Sequence, residues 1–375
     1  MTREIRAAVF REPAQPVRTE TIELEDPRDD EVLVRVAAAG VCRSDLHFAD
    51  AALGDGRRPM VLGHEGAGVV ESVGARVTHV AAGDRVAFCF VPSCGVCRPC
   101  RAGRANLCEP AGRAALRGTM LDGTARFSEA GLQHCLLTSC FAEYAVVAEA
   151  GAIPLPDSVP LWQGALLGCA VVTGVGAVRN TAKVRIGESV CVVGCGGVGL
   201  QVIAGARMVG ATPIVAVDRD PAKLELALSH GATHAVDSSQ SRAAREVKKL
   251  TDGGADHAFE VVGLPETMRL AWDALRIGGT AVVVGLAHKG AEVSLPAIEF
   301  LSEKSILGSY YGSSNVAVEL PQLARLVAEG RLELADVVSD FTDLDGVEEA
   351  LEKLRRGEGA RTIVVLDRDV AGLPE

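Results

Sequence analysis

The chain has 375 residues, of which 48% are hydrophobic and 23% are charged, and it carries a formal net charge of −11. The length allows two domains of ordinary size, and the composition is that of a compact globular protein. Because so acidic a chain would repel phosphates, the net charge excludes nucleic acid as the main partner.

The N-terminal residues MTREIRAAVF alternate charged and apolar types and lack the apolar core of a signal peptide. No uninterrupted apolar run reaches the ~18–20 residues that cross a bilayer. We therefore expect a cytoplasmic protein that has no membrane partner. In that reducing compartment, the odd count of eleven cysteines predicts metal ligation or catalysis in preference to a disulfide framework.

The first part of the chain, to about residue 150, predicts short strands separated by glycine-rich turns. Alternating or apolar stretches predict strands over residues 31–37, 66–73 and 84–90. This pattern favours a small, irregular β-barrel over a helical bundle. Residues 111–140 have little periodicity and many glycines, so we expect a long loop there.

Four cysteines crowd one hydrophilic, glycine-containing loop. Cys94, Cys97, Cys100 and Cys108 follow the spacing C-x2-C-x2-C-x7-C. Four thiolates so close together can surround one Zn²⁺ tetrahedrally. Ferredoxin-type clusters also use dense cysteines, but the last spacing differs from the common ferredoxin patterns. Since the four ligands would leave no open coordination position, the loop predicts a structural zinc site.

A second set of metal ligands comes from three separate segments: Cys42 in GVCRSDLH, His64 in GHEGAG and Cys169 in LLGCAVVTG. Each alone is weak evidence, because a buried cysteine usually packs as a small hydrophobe. Two thiolates and one imidazole together are a catalytic zinc set that leaves the fourth position free for water or substrate. We expect Asp45 to hold the distal nitrogen of His64, and Glu65 to lie behind the metal.

From residue 189 onward, apolar strands alternate with helical stretches. This alternation predicts βαβ units and a parallel sheet, and the last part of the chain returns to a mixed pattern. Strands are predicted over residues 189–193, 214–217, 257–262, 280–284, 305–308 and 361–365, and helices over residues 198–209 and 316–329.

A dinucleotide-binding turn is predicted between the first of these strands and the helix that follows. The run Gly194-Cys195-Gly196-Gly197-Val198-Gly199 matches G-x-G-x-x-G, and Asp218 ends the next strand 19 residues after Gly199. A bare match is weak, but the strand–turn–helix context and the acidic residue make it strong. The pyrophosphate would lie at the helix N-terminus, and Asp218 would accept hydrogen bonds from the ribose hydroxyls. The alternative is that Asp218 is only a loop-end carboxylate.

These motifs resemble those of the zinc-containing medium-chain alcohol dehydrogenases nearly from end to end. GVCRSDLH, GHEGAGVVESVG, the four-cysteine loop, LLGCAVVTGVGA, VGCGGVG, AVDRD and RTIVV occur in the family's order. The resemblance implies an α/β fold with two domains. A GroES-like β-barrel catalytic domain would occupy residues 1–170 and 313–375, and a Rossmann domain, a doubly wound parallel sheet that binds NAD, residues 171–312.

The resemblance also implies an activity and assigns roles to single residues. The activity would be reversible hydride transfer between a primary or secondary alcohol and NAD, giving an aldehyde or ketone, with one catalytic and one structural zinc per chain. Ser44 is similar to the family's proton-relay hydroxyl and His47 to the surface base that ends the relay. Arg43 and Arg361 resemble clamps on the NAD pyrophosphate, and Phe90 an aromatic residue that lines the substrate pocket. The predicted cofactor-binding set is completed by Thr173 beside the nicotinamide and by Arg219 and Lys223.

Several alternatives stay open. A glutathione- or mycothiol-dependent formaldehyde dehydrogenase would share both zinc sites but carry other residues over 45–56 and in the long loop. A nicotinoprotein would keep its NAD bound, and a non-catalytic relative would typically lack a zinc ligand. The connection from Cys108 to Phe141 is long, as in dimeric members, so we expect a homodimer. No role is assigned to the remaining cysteines, Cys89, Cys135, Cys140, Cys191 and Cys195.

Overall fold

The computed structural model describes residues 2–13, 15–50, 59–239 and 242–374. The chain folds into two compact units, Met1–Cys169 with Asn315–Glu375, and Ala170–Ser314. The predicted domain boundaries, after residue 170 and before residue 313, fall within two residues of this division.

Seventeen strands are present in the described part of the chain. In chain order they are β1 Thr2–Phe10, β2 Arg18–Glu25, β3 Glu31–Val41, β4 Met60–Val61, β5 Glu65–Val73, β6 Arg85–Phe88, β7 Gln133–His134, β8 Tyr144–Ala148, β9 Ala152–Pro154, β10 Val190–Val193, β11 Ile214–Asp218, β12 His234–Asp237, β13 Ala255–Glu260, β14 Leu275–Val283, β15 Ser305–Gly308, β16 Asp340–Thr342 and β17 Thr362–Val365.

Twelve α-helices accompany them within the described residues. They are α1 Arg43–Ala49, α2 Arg98–Arg101, α3 Glu109–Arg117, α4 Leu161–Leu166, α5 Val172–Gly176, α6 Gly197–Met208, α7 Pro221–Ser229, α8 Ala243–Leu250, α9 Pro265–Ala274, α10 Val316–Ala328, α11 Val347–Arg356 and α12 Arg368–Ala371.

The first unit is built on two sheets with the strand orders β2-β1-β4-β7 and β16-β17-β3-β5-β6-β9. Strand β3 is central to the larger sheet. One edge pairs with β5, and the other pairs first with β8 and then with β17. All its residues except Arg35 are buried, as its nearly continuous apolar sequence requires. This unit is the predicted GroES-like barrel, in which the C-terminal strand β17 completes a sheet begun by N-terminal strands.

The second unit contains one parallel sheet with the strand order β12-β11-β10-β13-β14-β15. The chain leaves β10 toward β11 and β12, then returns to the other side of β10 through β13. Ligands of such doubly wound sheets bind where the strand order reverses, outside the carboxyl ends of the strands. That point is the end of β10, where the predicted dinucleotide turn begins. The predicted α/β fold class, with a Rossmann sheet and a GroES-like barrel, is confirmed.

The strands and helices predicted from the sequence are present, with ends that differ by a few residues. Strand β3 continues to Val41, and β13 begins at Ala255. The loop prediction for residues 111–140 was wrong in part, because α3 covers Glu109–Arg117 and β7 covers Gln133–His134. Pro110 occupies the first turn of α3 and Gly118 ends it in the left-handed conformation, which are ordinary helix start and stop residues.

The helical turns over Leu161–Ala182 form one stretch of 22 residues that is long and apolar enough to cross a membrane by length and composition alone. Of its most apolar window, 89% is buried inside the structure, as in the core helix of a globular protein. Two parts of this stretch, Leu167–Val171 and Ala177–Ala182, have π-helical hydrogen bonding.

Candidate active site

The four-cysteine loop brings its sulfur atoms together. The Sγ atoms of Cys94, Cys97, Cys100 and Cys108 lie within 4.8 Å of one another. The backbone N–H of Cys94 donates to Cys108 Sγ (3.3 Å), and that of Cys97 donates to Cys94 Sγ (3.4 Å). Burial opposes ionisation of Cys94, but the N–H groups of Val96 and Cys97 outweigh it and lower the pKa of this thiol to about 7. Such a nest of sulfur atoms and N–H donors fits a closed, structural zinc site.

The second ligand set also converges, and all of it lies in the first unit. Cys42 directly follows β3 and precedes α1, His64 directly precedes β5, and Cys169 lies in the π-helical turn Leu167–Val171. Ligand atoms of these three residues and of Glu65 lie within 4.8 Å of one another, and all four residues are buried. Single π-helical turns inside α-helices are frequent at functional sites. Here such a turn carries the third predicted ligand, Cys169.

The orientation of His64 is set by its contact with Asp45. His64 Nδ1 lies 2.9 Å from Asp45 Oδ1, and the same carboxylate accepts the N–H groups of Cys42 (3.0 Å) and Gly63 (3.2 Å). His64 Nε2 is fully buried and has no hydrogen-bond partner among the described residues. An imidazole nitrogen is not left buried in this way without cost. With two thiols beside it, this donor set fits a zinc ion.

The charges around these thiols favour an ionised sulfur. Contact with the Cys169 thiol holds the pKa of Cys42 well below its usual range, with Arg361 and His64 acting in the same direction. The same contact raises the pKa of Cys169, because the two thiols then share one proton. A divalent cation between them would remove that proton, since a coordinating thiol is deprotonated outright.

Arg361 has a buried partner that the sequence did not indicate. Its Nη2 donates to Glu65 Oε1 at 2.8 Å and its Nη1 to the Val41 carbonyl at 3.2 Å, and the side chain is only 4% exposed. Burial raises the pKa of Glu65 to about 8, against the opposing effect of Arg361. Glu65 therefore lies beside the predicted ligands, while its place behind a metal and the contact of Arg361 with a pyrophosphate stay predictions.

Of the other predicted catalytic residues, Ser44 and Phe90 lie next to the ligands. Ser44 Oγ lies 3.8 Å from Cys42 Sγ, and Phe90 packs edge-on against the His64 ring with 5.4 Å between the ring centroids. His47 lies half-buried in the last turn of α1, whereas Arg43 begins that helix and is exposed.

The predicted dinucleotide turn lies between β10 and α6 in the second unit. Asp218, at the end of β11, accepts three backbone N–H groups: that of Cys195 through Oδ2 (2.7 Å), and those of Arg219 (2.8 Å) and Asp220 (3.0 Å) through Oδ1. These bonds fix the carboxylate beside the turn. Arg219 is exposed, and Lys223 and Thr173 lie half-buried on α7 and α5 of the same unit.

One cysteine without an assigned role lies against the predicted metal site. Cys135 Sγ is 4.0 Å from Asp45 Oδ1, although the two residues are 90 positions apart in the chain. Cys135 also forms, with Asp45 and His64, a group whose ligand atoms lie within 4.8 Å. No spacing rule could have indicated this contact, because it depends on how two distant segments pack.

Comparisons with known proteins agree with these features. Residues 28–157 match the family model of the alcohol dehydrogenase GroES-like domain, and residues 197–329 match that of zinc-binding dehydrogenases. The chain is 37% identical over 364 residues to an S-(hydroxymethyl)glutathione dehydrogenase of Synechocystis sp., an alignment that covers 96% of this chain and 99% of that protein.

Solved structures are similar over the same extent. The crystal structure of an alcohol dehydrogenase zinc-binding domain protein from Burkholderia ambifaria has a TM-score of 0.93 and 37% identity, and the match covers 98% of this chain and 100% of that chain. Benzyl alcohol dehydrogenase from Acinetobacter calcoaceticus has a TM-score of 0.92 and 32% identity, with coverage of 97% and 99%.

Proposed function

Because this chain belongs to the zinc-dependent medium-chain alcohol dehydrogenase family, we propose that it transfers hydride reversibly between a small primary or secondary alcohol and NAD. As a member of this family the chain is an oxidoreductase that acts on CH–OH groups, and the product would be an aldehyde or ketone. The observation that carries the proposal is the convergence of Cys42, Cys169 and the unpartnered Nε2 of His64 at one buried point. A zinc ion held there would be a Lewis acid that favours the ionised form of a substrate hydroxyl. A second zinc would be held by the four-cysteine loop.

The residues around this point divide the remaining work. Asp45 holds the His64 ring so that Nε2 keeps its lone pair for the metal. Ser44, next to the ligand Cys42, takes the proton of the substrate hydroxyl, and His47, one turn further along α1, is its final acceptor. Phe90 covers the His64 ring and supplies an apolar wall for the carbon part of the substrate.

The second unit would bind NAD at the turn between β10 and α6. The turn residues Gly194, Gly196, Gly197, Val198 and Gly199 lie at the reversal point of the sheet, and Asp218 is fixed beside them. A carboxylate in this position accepts hydrogen bonds from ribose hydroxyls, which favours NAD over NADP.

All eleven cysteines are outside disulfide bonds, which supports a cytoplasmic location.

A second candidate substrate is the adduct of formaldehyde with a small thiol, such as S-(hydroxymethyl)glutathione. The observation in its favour is that a relative named for this activity matches the chain almost end to end. The structural match to benzyl alcohol dehydrogenase supports the simple-alcohol candidate to a similar degree. Of residues 45–56, where thiol-adduct enzymes are expected to differ, residues 51–56 lie outside the described part of the chain.

One experiment separates the two candidates. The purified protein is given NAD with aliphatic, benzylic, terpenoid and secondary alcohols, and separately with formaldehyde plus glutathione, while NADH absorbance is followed. Turnover of simple alcohols supports the main proposal, and turnover only with formaldehyde and glutathione supports the second. A protein that forms no NADH with any of them, yet releases NAD on denaturation, is a nicotinoprotein. Cys169→Ser should abolish turnover of either substrate, and Cys191→Ser, which changes a buried thiol of β10 in the other unit, is its control.

A further inference from the structure

The segment that carries His64 is held by a second segment, residues 135–141, from far along the chain. The backbone N–H groups of Cys140 and Phe141 donate to the carbonyls of Gly63 and Leu62, each at 3.0 Å. The N–H of Cys135 donates to the Val61 carbonyl at 3.2 Å. Every backbone carbonyl from residue 61 to 63 is therefore bound by the 135–141 segment.

Side chains of the same turn add to this attachment. Thr138 Oγ1 donates to the Gly63 carbonyl and Ser139 Oγ to the Val61 carbonyl, both at 3.0 Å, and both side chains are buried. The turn itself is costly to form. Leu136, Leu137 and Ser139 have φ angles of +48°, +61° and +49°, a left-handed region that residues with a Cβ seldom adopt. Strained turns of this kind persist where the surrounding structure requires them, often at functional sites.

The turn places the Cys135 thiol against the carboxylate that orients His64. Cys135 is fully buried, and its Sγ lies 4.0 Å from Asp45 Oδ1. That oxygen also faces His64 Nδ1 at 2.9 Å and the Gly63 N–H at 3.2 Å, while Oδ2 accepts the Cys42 N–H. An ionised carboxylate only accepts hydrogen bonds, and a protonated thiol can donate one. The thiol and the His64 ring thus approach the same carboxylate oxygen.

We propose that Cys135 is a positioning residue for the catalytic metal, which acts by donating its S–H to Asp45 and so holding the Asp45–His64 pair. The donation fixes the Asp45 oxygen against His64 Nδ1, and this fixes the direction of the Nε2 lone pair toward Cys42 and Cys169. The inference rests on the proposed catalytic zinc site and names a residue that this site depends on. Asp45, His64 and Cys135 are not a second metal site, because Nδ1 would then have to give up its bond to Asp45.

The test compares three full-length proteins: wild type, Cys135→Ala and Cys135→Ser. Each is equilibrated with zinc buffers to measure the affinity of the catalytic site, and each is loaded with Co²⁺ so that thiolate-to-cobalt absorption reports its geometry. Loss of an outer hydrogen bond to a metal-ligand pair costs ~10- to 100-fold in metal affinity. Because this S–H···O bond is long, we expect Cys135→Ala to lose metal affinity by about 10-fold, the lower end of that range, and to have a shifted cobalt spectrum. Cys135→Ser keeps a donor and should recover most of the affinity.

Cys191→Ala is the matched control, because it removes an equally buried thiol from β10, where no predicted metal ligand lies. It should bind zinc as the wild type does. A folded Cys135→Ala protein with wild-type affinity and cobalt spectrum would overturn the inference, as would a third metal ion lost with the thiol. If Cys135→Ala does not fold, the comparison of Cys135→Ser with Cys135→Val, which fills the space without a donor, decides in the same way. A wild type that binds no zinc at Cys42, His64 and Cys169 would instead refute the proposed function.

Discussion

At the scale of single residues, Asp218 is expected to determine the choice of cofactor. Its carboxylate is held by three backbone N–H groups and cannot easily retreat, so a 2′-phosphate would meet a fixed negative charge. At ~4 Å each pair of like charges costs roughly 1 kcal/mol at the dielectric constant of water and roughly 4 kcal/mol at that of a protein surface. The wild type should therefore use NADP about 10- to 1000-fold less efficiently than NAD.

Asp218→Gly should raise kcat/KM for NADP, with the exposed Arg219 becoming the partner of the 2′-phosphate. The measurement is kcat/KM with each cofactor at one fixed substrate concentration. Asp252→Asn removes a charge from a turn of the same unit and should leave the ratio unchanged. Equal use of both cofactors by the wild type would show that Asp218 does not discriminate between them.

His47 offers a second prediction at this scale. As the final proton acceptor in the proposed relay, it is half-buried at the end of α1 and within reach of solvent. His47→Gln should slow alcohol oxidation at neutral pH by ~10- to 100-fold. This is less than the rate loss expected for an enclosed general base, because solvent can replace part of a relay that ends at the surface. Added imidazole should restore part of the rate. An unchanged pH–rate profile in the variant would exclude the relay.

The clustering of the predicted metal ligands could be expected from the sequence because each ligand set is recognisable from its own short motifs. Four closely spaced cysteines, or two thiols and an imidazole in known motifs, are recognisable whatever surrounds them. The partners of these ligands were less accessible. Glu65 was expected behind the metal, but its ion pair with Arg361 joins β5 to the residue before β17. The contact between Cys135 and Asp45 likewise exists only after two distant segments pack.

At the scale of elements, two glycines of the dinucleotide turn are expected to differ in what they do. A Cβ on Gly199 would lie 1.9 Å from the Gly194 carbonyl oxygen, because α6 packs directly on the turn. A Cβ on Gly196 would meet nothing within 4 Å among the described residues, so this position is open toward a ligand. Gly199→Ala should destabilise the second unit, whereas Gly196→Ala should fold normally and weaken NAD binding, since the pyrophosphate needs close approach to the backbone.

Thermal unfolding and NAD titration of both variants check this pair. Gly199→Ala should have a lower Tm than the wild type. Gly196→Ala should keep the wild-type Tm but have a higher dissociation constant for NAD. If Gly196→Ala bound NAD as tightly as the wild type, the pyrophosphate would have to lie elsewhere.

The two sets of cysteines should also respond differently to substitution. The four-cysteine loop contains only the short helix α2 and the 3₁₀ turn Ala105–Leu107 and has few other means of holding its shape, so its zinc would supply folding free energy. Cys94→Ser or Cys108→Ser should lower solubility and Tm. Cys42→Ser and Cys169→Ser should abolish turnover while Tm changes much less, because β3 and the helical stretch around Cys169 are packed in the core.

Zinc analysis accompanies the unfolding curves, with two ions per chain expected in the wild type and one in each variant. An active Cys169→Ser protein would show that the third ligand was assigned wrongly. A Cys94→Ser protein with wild-type Tm would remove the structural role of the loop.

Elements with strong periodicity were predictable, and those formed by packing were not. Strands β10 and β11 of the parallel sheet are short apolar runs, and each strand predicted in this sheet lies close to its observed position. Helix α3 was missed because its buried face consists of the alanines Ala111 and Ala114 and has no large apolar side chain, although Pro110 and Gly118 mark its ends. The π-helical turn that presents Cys169 has no sequence pattern of its own, since its hydrogen bonding arises from the packing around it.

At the scale of the whole molecule, an exposed sheet edge supports the expectation of a homodimer. Strand β15 ends the parallel sheet, and its outer edge has no neighbouring strand in the described part of the chain. Large apolar side chains are exposed on it and on the segment before it: Ile298 (71%), Phe300 (46%), Leu301 (82%) and Leu307 (42%). Unpaired edges with exposed apolar side chains invite pairing with another chain. A second copy fits best, because one edge strand can pair with its own two-fold mate in antiparallel register.

Light scattering should therefore give about twice the chain mass of 39.0 kDa. Leu301→Asp with Leu307→Asp places like charges on the edge that two copies would bury, so the charges of the two copies would repel one another, and the mass should shift toward one chain. Leu116→Lys is the control, because it alters an equally exposed leucine (71%) on α3, in the other unit, and should leave the dimer intact. A mass near four chains would contradict the dimer. A dimer that survives the double substitution would place the interface away from β15, so oligomeric state and interface are tested separately.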